Sequence, residues 1–369
     1  MTEWIECTLD SLGEIVGGAT PSTKCKDYYG GDIPWITPKD LSSFNGRYIS
    51  RGERNITEKG LASCSAQMMP KDAVLFTSRA PIGYVAIASQ SVCTNQGFKS
   101  IVVNGKADPL FVYYLLKHYK DTIEAMGSGT TFKEVSGKTM RTVRVRIPLD
   151  VSYQKRIAAV LDSLDTKIEN NKKINDNLQQ QAQAIYASMF IDNADPAWVQ
   201  GHLSDLITVK YGKDHKKLAD GSYPVYGSGG IMRYVERPLY DKESVLIPRK
   251  GTLNNVMYVN QPFWSVDTMF YTEMRLPNVA KFVYHFVKAK DLASMNAGSA
   301  VPSMTTDILN AMEVAIPSAS ALEEFEALVS PIYKAMQEND NQSKTLAKLR
   351  DALLPKLMSG EIDVSAIQL

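Results

Sequence analysis

The chain is poor in the residues that enzymes and secreted scaffolds most often depend on. It has four cysteines in 369 residues, Cys7, Cys25, Cys64 and Cys93, all within about the first quarter and none in a CxxC pair. Neither a disulfide framework nor a structural zinc site is expected from that spacing, and the thiols are expected to be free. The four histidines, His118, His202, His215 and His285, are dispersed without metal or triad spacing. No apolar run approaches the ~18 residues needed to cross a bilayer. The opening Met1-Thr2-Glu3-Trp4-Ile5-Glu6 lacks a basic segment followed by an apolar one, so a cytoplasmic location is expected. There is no G-x4-G-K-[S/T] loop, which removes support for nucleotide hydrolysis. No Glu-x-Lys occurs, as a metal-dependent nuclease would commonly show. Asp165-Thr166-Lys167 and Asp214-His215-Lys216 read as chance matches in a helix and a charged loop. An Asp/Asn-Pro-Pro-aromatic tetrapeptide, expected of an amino-methyltransferase, is also missing, the nearest stretch being Asp195-Pro196-Ala197-Trp198. The glycines of Gly127-Ser128-Gly129 and Gly227-Ser228-Gly229-Gly230 supply turns rather than phosphate cradles. No intrinsic catalysis, bound metal or bound cofactor is expected of this chain.

What remains is an ordinary globular balance, 44% hydrophobic and 22% charged residues, with a formal net charge of +1. That length suits two or three domains. Any basic footprint must therefore be local.

The dominant signal is an internal repeat. Trp4-Ile5-x3-Leu9-x2-Leu12 matches Trp198-Val199-x3-Leu203-x2-Leu206, 194 residues on. Ala73-Val74-Leu75-Phe76-Thr77-Ser78-Arg79 matches Ser244-Val245-Leu246-Ile247-Pro248-Arg249-Lys250 at an offset of 171, and Phe111-Val112-Tyr113-Tyr114 matches Phe282-Val283-Tyr284-His285 at the same offset. From Gly129 to Ile147-Pro148 the partner is Gly298 to Ile316-Pro317, 169 residues on. The shrinking offset places extra residues in the first copy, mostly between Gly17 and Asp72, as loop insertions on a shared scaffold would.

Each copy ends in a heptad seam. Ile157, Leu161, Leu164, Ile168, Asn171, Asn175, Leu178, Ala182, Ile185 and Met189 alternate steps of four and three. Phe325, Val329, Ile332, Met336, Asn339, Ser343, Leu346, Arg350, Leu353 and Leu357 repeat them at a constant offset of 168. Helices about 50 Å long follow from the rise per residue. A single stripe of this kind reads as a helix packed on its own module. Two matched ones favour packing against each other, with Asn171 and Asn339 as a polar layer that fixes register. Pro331 and Pro355 are expected to kink or end the second helix.

Each module reads as α+β. Strands are expected at Val74 to Thr77, Tyr84 to Ala88 and Ser100 to Val103, a helix from Asp108-Pro109 through Lys117, and an alternating strand over Thr142 to Ile147 that puts Arg144 and Arg146 on one face. The second copy repeats this order with Ser244 to Pro248, Asn255 to Val259 and the helix Ala280 to Ala289. The polar stretch Ile191 to Pro196 is the natural boundary. The expected division is 1–150, a long helix over 151–190, 191–320, and a second helix with tail over 321–369.

With that order in view, the chain resembles the specificity subunit of Type I restriction-modification systems. The likeness is carried by Ile147-Pro148 leading into Tyr153-Gln154-Lys155-Arg156-Ile157-Ala158-Ala159-Val160-Leu161-Asp162-Ser163-Leu164-Asp165, by Gly129-Thr130-Thr131-Phe132-Lys133 before it, and by Leu357-Met358-Ser359-Gly360-Glu361-Ile362 at the end. The family's usual Glu-Gln pair before the first helix is replaced by Tyr153-Gln154, and the second copy has Leu322-Glu323. The resemblance implies two target-recognition domains in pseudo-two-fold relation and two long helices paired as an antiparallel coiled coil. It also implies binding to double-stranded DNA with a bipartite target. Two modification (methyltransferase) subunits that use S-adenosylmethionine on adenine, and restriction subunits that use ATP and Mg²⁺, are the implied partners.

Reading DNA calls for Arg or Lys toward phosphates and guanine, and Asn or Gln toward adenine. In the first module the candidates are Arg79, between a strand and the Pro81 turn; Asn95, Gln96 and Lys99; and Thr130, Thr131 and Lys133 of the Gly-rich turn. In the second they are Arg249, Lys250 and Asn254, with Lys213, Lys216, Lys217 and Arg233 in loops peculiar to that copy. Each of these is equally a solvated surface charge when taken singly, and Arg141, Arg144 and Arg146 face either DNA or an acidic partner. Three other readings stay open: a DNA-binding adaptor of another defence or repair complex without methylation, a nuclease with a cryptic site, and a structural coiled-coil scaffold.

Overall fold

A computed structural model describes residues 2–129, 133–295 and 303–367. The chain divides into two compact units, Met1–Lys172 with Asp340–Leu369, and Lys173–Asn339. Each unit therefore holds one α+β module and part of both long helices.

In unit 1 the module comprises β1 (Trp4–Thr8), β2 (Gly13–Gly17), β3 (Tyr29–Ile36), α1 (Pro38–Ser42), β4 (Tyr48–Ile49), β5 (Asn55–Ile56), α2 (Glu58–Ala62), β6 (Val74–Ser78), β7 (Ile82–Ala88), β8 (Cys93–Thr94), β9 (Lys99–Val103), α3 (Pro109–His118), α4 (Lys120–Ala125), α5 (Gly137–Thr142) and β10 (Arg144–Pro148), and α6 (Val151–Ala187) follows. The main sheet has the order β2-β9-β6-β7-β4, beside a three-stranded sheet β5-β3-β8 and a β1-β10 ribbon. All five side chains of β6 are buried, because the strand separates two cores. Val74 and Phe76 face the cluster that contains α3, while Leu75 joins Ile36 and Phe98 on the other side. A continuous apolar run is what a strand covered on both faces requires. α3 starts where the sequence demands, with Pro109 in its first turn and the Asp108 carboxylate accepting from the Phe111 amide at 3.0 Å.

Unit 2 repeats this plan with β11 (Val199–His202), α7 (Leu203–Leu206), β12 (Ile207–Tyr211), β13 (Asp220–Gly227), β14 (Gly230–Val235), β15 (Ser244–Pro248), β16 (Met257–Val259), β17 (Trp264–Ser265), β18 (Met269–Met274), α8 (Ala280–Lys288), α9 (Thr306–Asn310), β19 (Glu313–Ile316) and α10 (Ala319–Ser359). Its sheets are β12-β18-β15-β16, β14-β13-β17 and the β11-β19 ribbon, the counterparts of those in unit 1 apart from the edge strand β4. β15 again divides two cores, Val245 and Ile247 on one side and Leu246 on the other. The extra residues of the first module build α1, β4 and α2, which have no counterpart between β13 and β15.

Most element ends shift by one or two residues from the sequence expectation, and at Thr142 and Asn255 the reason is local. Thr142 ends α5 rather than starting a strand, since its hydroxyl donates to the Thr139 carbonyl at 2.9 Å and the Val143 amide to the Met140 carbonyl. Asn255 stays outside β16 because its side-chain amide donates to the Ser228 carbonyl at 2.8 Å. β10 then alternates as read, with Arg144 and Arg146 exposed and Val145 and Ile147 buried.

The first turns of each long helix dock on the helix's own module. Tyr153, Gln154, Ile157, Ala158 and Leu161 are buried in unit 1; Leu322, Phe325, Val329 and Tyr333 are buried in unit 2. Gln154 and Leu322 are repeat partners with opposite chemistry. The Gln154 amide donates to the Lys106 and Pro148 carbonyls and its oxygen accepts from the Asp108 amide, whereas Leu322 simply fills the space. Burial of each aliphatic side chain here contributes about 1.5–3 kcal/mol.

Further along, the helices face each other within each unit. In unit 1 the Arg350 guanidinium donates to Asp165 at 2.6 Å, and the Asn171 amide donates to Gln342 at 2.8 Å and Ser343 at 3.2 Å. In unit 2 the Asn339 amide donates to Asn175 at 2.9 Å, the Asn175 amide to the Met336 carbonyl at 3.1 Å, and Tyr186 and Phe190 pack on Phe325. Position rises on one helix as it falls on the other, which is antiparallel pairing. Leu164, Ile168, Leu178, Ile185, Ile332, Met336, Leu346 and Leu353 are half-buried along the seam.

α10 runs unbroken from Ala319 to Ser359, so neither Pro331 nor Pro355 ends it. Both rings, and the residues four positions earlier, Ala327 and Asp351, are exposed. Water can therefore satisfy the carbonyls that lose their helical partner.

Candidate nucleic-acid interface

The ends of the central strands carry the basic residues. In unit 1, β6 delivers Arg79, whose backbone forms an antiparallel bridge with Glu134. The Arg79 guanidinium lies 3.3 Å from one Glu134 carboxylate oxygen and the Lys99 ammonium 3.6 Å from the other. The loop before β9 is tied to the same strand end, since the Ser78 amide donates to the Gly97 carbonyl at 2.7 Å. That bond ties the loop carrying Asn95 and Gln96 to the end of β6 from which Arg79 follows. The Asn95 side chain accepts from the Gly97 amide at 2.9 Å, and exposed Gln96 accepts from Thr20. Lys133 is exposed next to Glu134, and Thr130 and Thr131 lie outside the described residues.

In unit 2, β15 delivers Arg249 and Lys250, and Lys250 forms the equivalent antiparallel bridge with Ser303. Both backbone amides donate to the Thr268 carbonyl, at 2.9 and 3.2 Å. Arg249 reaches the Asp267 carbonyl at 3.3 Å and lies over the Tyr211 ring. The Lys213 amide donates to the Ser265 carbonyl at 2.8 Å, so Lys213, Arg249 and Lys250 meet at one end of the sheet. Asn255 holds the β13-β14 turn there through Ser228. The remaining candidates sit apart from that group. Arg233 is bound to Asp220 at 2.8 Å and to the Leu218 carbonyl, Lys216 and Lys217 are exposed on the loop before β13, and Asn254 is bound to Asp291 at 3.0 Å.

The two interfaces share a frame. Gly18 and Gly212 are repeat partners, and a β-carbon at either would overlap carbonyl oxygens, of Thr94 and Asn95 in one unit and of Ser265 and Val266 in the other. Beside them the Ala19 carbonyl accepts the Trp35 indole at 3.0 Å and the Lys213 carbonyl accepts the Trp264 indole at 2.8 Å. The indoles come from opposite strands of matching parallel pairs, Trp35 against Cys93 and Val225 against Trp264.

Two features were not read from the sequence. Glu134 is one; aligning the repeat pairs it with Ser303, and nothing in the sequence sets it opposite Arg79. The other is β14, where Ile231, Met232 and Tyr234 are exposed, Met232 by 61%. Arg141 donates to the Ile15 carbonyl and Arg146 to the Ser359 carbonyl, the latter also lying over Trp4. The four cysteines are free, and among the described residues no group of three His, Cys, Asp or Glu converges as a metal site. No helix among them is long and apolar enough to cross a membrane.

A duplicated α+β module with a basic strand end in each copy and a long helix after each defines a tandem reader. Comparison with known proteins then places it. Residues 1–180 and 197–349 match the family described as the Type I restriction modification DNA specificity domain, and the chain belongs to that family. It is 32% identical to the Type I restriction enzyme MjaIX specificity subunit of Methanocaldococcus jannaschii, over 99% of this chain and 95% of that one. It is 22% identical to the EcoprrI specificity subunit of Escherichia coli over 89% of each. A crystal structure of a Type I restriction-modification S subunit from M. genitalium shares the fold, with a TM-score of 0.60 and 19% identity over 96% of both chains.

Proposed function

We propose that this chain is the sequence-specific DNA-binding subunit of a Type I restriction-modification complex, reading a bipartite double-stranded target and directing adenine methylation. The observation that supports this most directly is the recurrence, in a chain of that family, of one basic strand end in two modules: Arg79 bridged to Glu134 and Lys250 bridged to Ser303. Side chains at such a place project donors toward phosphates and base edges. On this reading the chain performs no chemistry itself. Two modification subunits bind S-adenosylmethionine and transfer the methyl group, and restriction subunits use ATP and Mg²⁺ to translocate and cut. The DNA-contacting set is Arg79, Asn95, Gln96, Lys99 and Lys133 in one module and Lys213, Arg249 and Lys250 in the other, with Lys216, Lys217, Arg233 and Asn254 more peripheral. The domain division at 150, 190 and 320 goes with it.

Because the helices repeat in lockstep while the modules differ, the two half-sites are expected to be unlike and held at a constant separation. Mapping methylated adenines in cells with and without the chain tests this. One split motif that disappears with the chain is the expected result. An unchanged methylation map, together with failure to co-purify a methyltransferase, refutes it in favour of an adaptor that acts without methylation.

A further inference from the structure

The equivalent strand ends of the two modules carry different electrostatics. Arg79 and Glu134 face each other across an antiparallel bridge, so their side chains share one face by backbone geometry. Glu134 also takes Lys99 on its second oxygen. The Arg79 guanidinium is thereby tethered through one nitrogen and partly neutralised by a carboxylate it shares with Lys99, with its remaining N–H groups left to donate elsewhere. At the same fold position in unit 2 the bridge partner is Ser303. Among the described residues no carboxylate lies within ion-pair distance of Lys250, which is exposed. Its ammonium is an unneutralised point charge on a flexible stem.

Resting on the DNA-reading function proposed above, we infer that Glu134 is a positioning residue that makes Arg79 a base reader, whereas Lys250 is a phosphate contact. A tethered, partly neutralised guanidinium gains less from a phosphate but keeps the planar fork that matches a guanine edge. A free ammonium gains the counterion release that phosphate binding brings, without sequence preference. Module 1 thus fixes a base where module 2 fixes the backbone.

The test uses the full chain expressed with its own modification partner, and two readouts. The first is the methylated motif in cells. The second is the salt dependence of binding to a short random-sequence duplex. Glu134→Gln removes the carboxylate charge with little change of shape. It should relax one base position in one half-site, leave the other half-site intact, and steepen the log–log salt slope by about 0.9 as Arg79 is freed for a phosphate. Arg79→Lys keeps the charge and loses the fork, so it should relax that same position with the slope unchanged. Lys250→Ala should lower the slope by about 0.9 and weaken binding at all sites with the motif unchanged. An even loss of methylation at an unaltered motif in Glu134→Gln overturns the inference, as does relaxation of different positions by Glu134→Gln and Arg79→Lys, or a changed base preference in Lys250→Ala. If the unmodified chain directs no methylation, the function proposed above fails first, and the inference with it.

Discussion

His285 offers a quantitative check on how the helices dock. Its imidazole is fully buried in unit 2, with Nδ1 donating to the Gln183 side-chain oxygen at 2.8 Å, Nε2 accepting from the Tyr333 hydroxyl at 3.0 Å, and the ring stacked on Tyr186. That arrangement suits the neutral ring, and burial pushes its pKa down from 6.5 to about 4. The unfolded chain binds a proton near the ordinary value, so between those values it holds more protons than the folded chain. Stability is then full above the unfolded pKa and declines as pH falls toward the folded one. The whole shift is worth roughly 3 kcal/mol at 1.36 kcal/mol per unit, of which about 2 kcal/mol is lost between about pH 7.5 and about pH 5. His285→Phe abolishes this titration while stranding the Tyr333 hydroxyl and the Gln183 amide, a pH-independent cost of about 1–3 kcal/mol. Urea unfolding of both chains at the two pH values gives the difference directly, since all other titrating groups are common to both. Equal pH dependence in the two proteins would refute the buried neutral imidazole and the junction built on it.

Phe325→Ala empties the centre of an aromatic cluster formed with Tyr186 and Phe190, and should destabilise the chain by about 3–5 kcal/mol in a urea melt; a loss under about 1 kcal/mol would mean the helix start does not dock as described. Gly18→Ala and Gly212→Ala each push a β-carbon into carbonyl oxygens and should cost at least about 1–3 kcal/mol, so thermal melts of the two variants should fall together, and a neutral effect at either would break the proposed equivalence. Asn171→Leu removes a buried polar side chain that spans the helices in unit 1; chemical denaturation should show stability kept or raised, and a loss above about 3 kcal/mol would show that the polar layer holds the helices together rather than selecting their register.

The elements that sequence alone exposed are those whose pattern is set by local periodicity. The constant offset of 168 along both helices, the fully apolar Val74 to Phe76 run and the Asp108-Pro109 helix start all state their structure within a few residues. Pro331 and Pro355 misled because their cost depends on whether the orphaned carbonyls face water, which is a property of the folded helix. Asp165 is a heptad neighbour that reads as surface. It becomes buried because Tyr114 and Arg350 converge on it from elements distant in sequence, at 2.8 and 2.6 Å. The repeat partners of Tyr114 and Asp165 are His285 and Tyr333, so one junction is filled by unrelated chemistry in the two copies, and no motif search would equate them. Candidate DNA contacts were legible as residue types after strands. Their ion-pairing was not, because Glu134 lies 55 residues from Arg79.

The division of the chain carries a consequence for its synthesis. Residues 173–339 form unit 2 without interruption, whereas unit 1 waits for 340–369, whose Leu357, Met358 and Val364 complete its core and whose Asp363 receives the Tyr153 hydroxyl. On the ribosome the second reader can finish first, and the first, though made earlier, stays open until the last helix emerges. A stop codon within residues 340–369 would therefore damage the module built from residues 1–150.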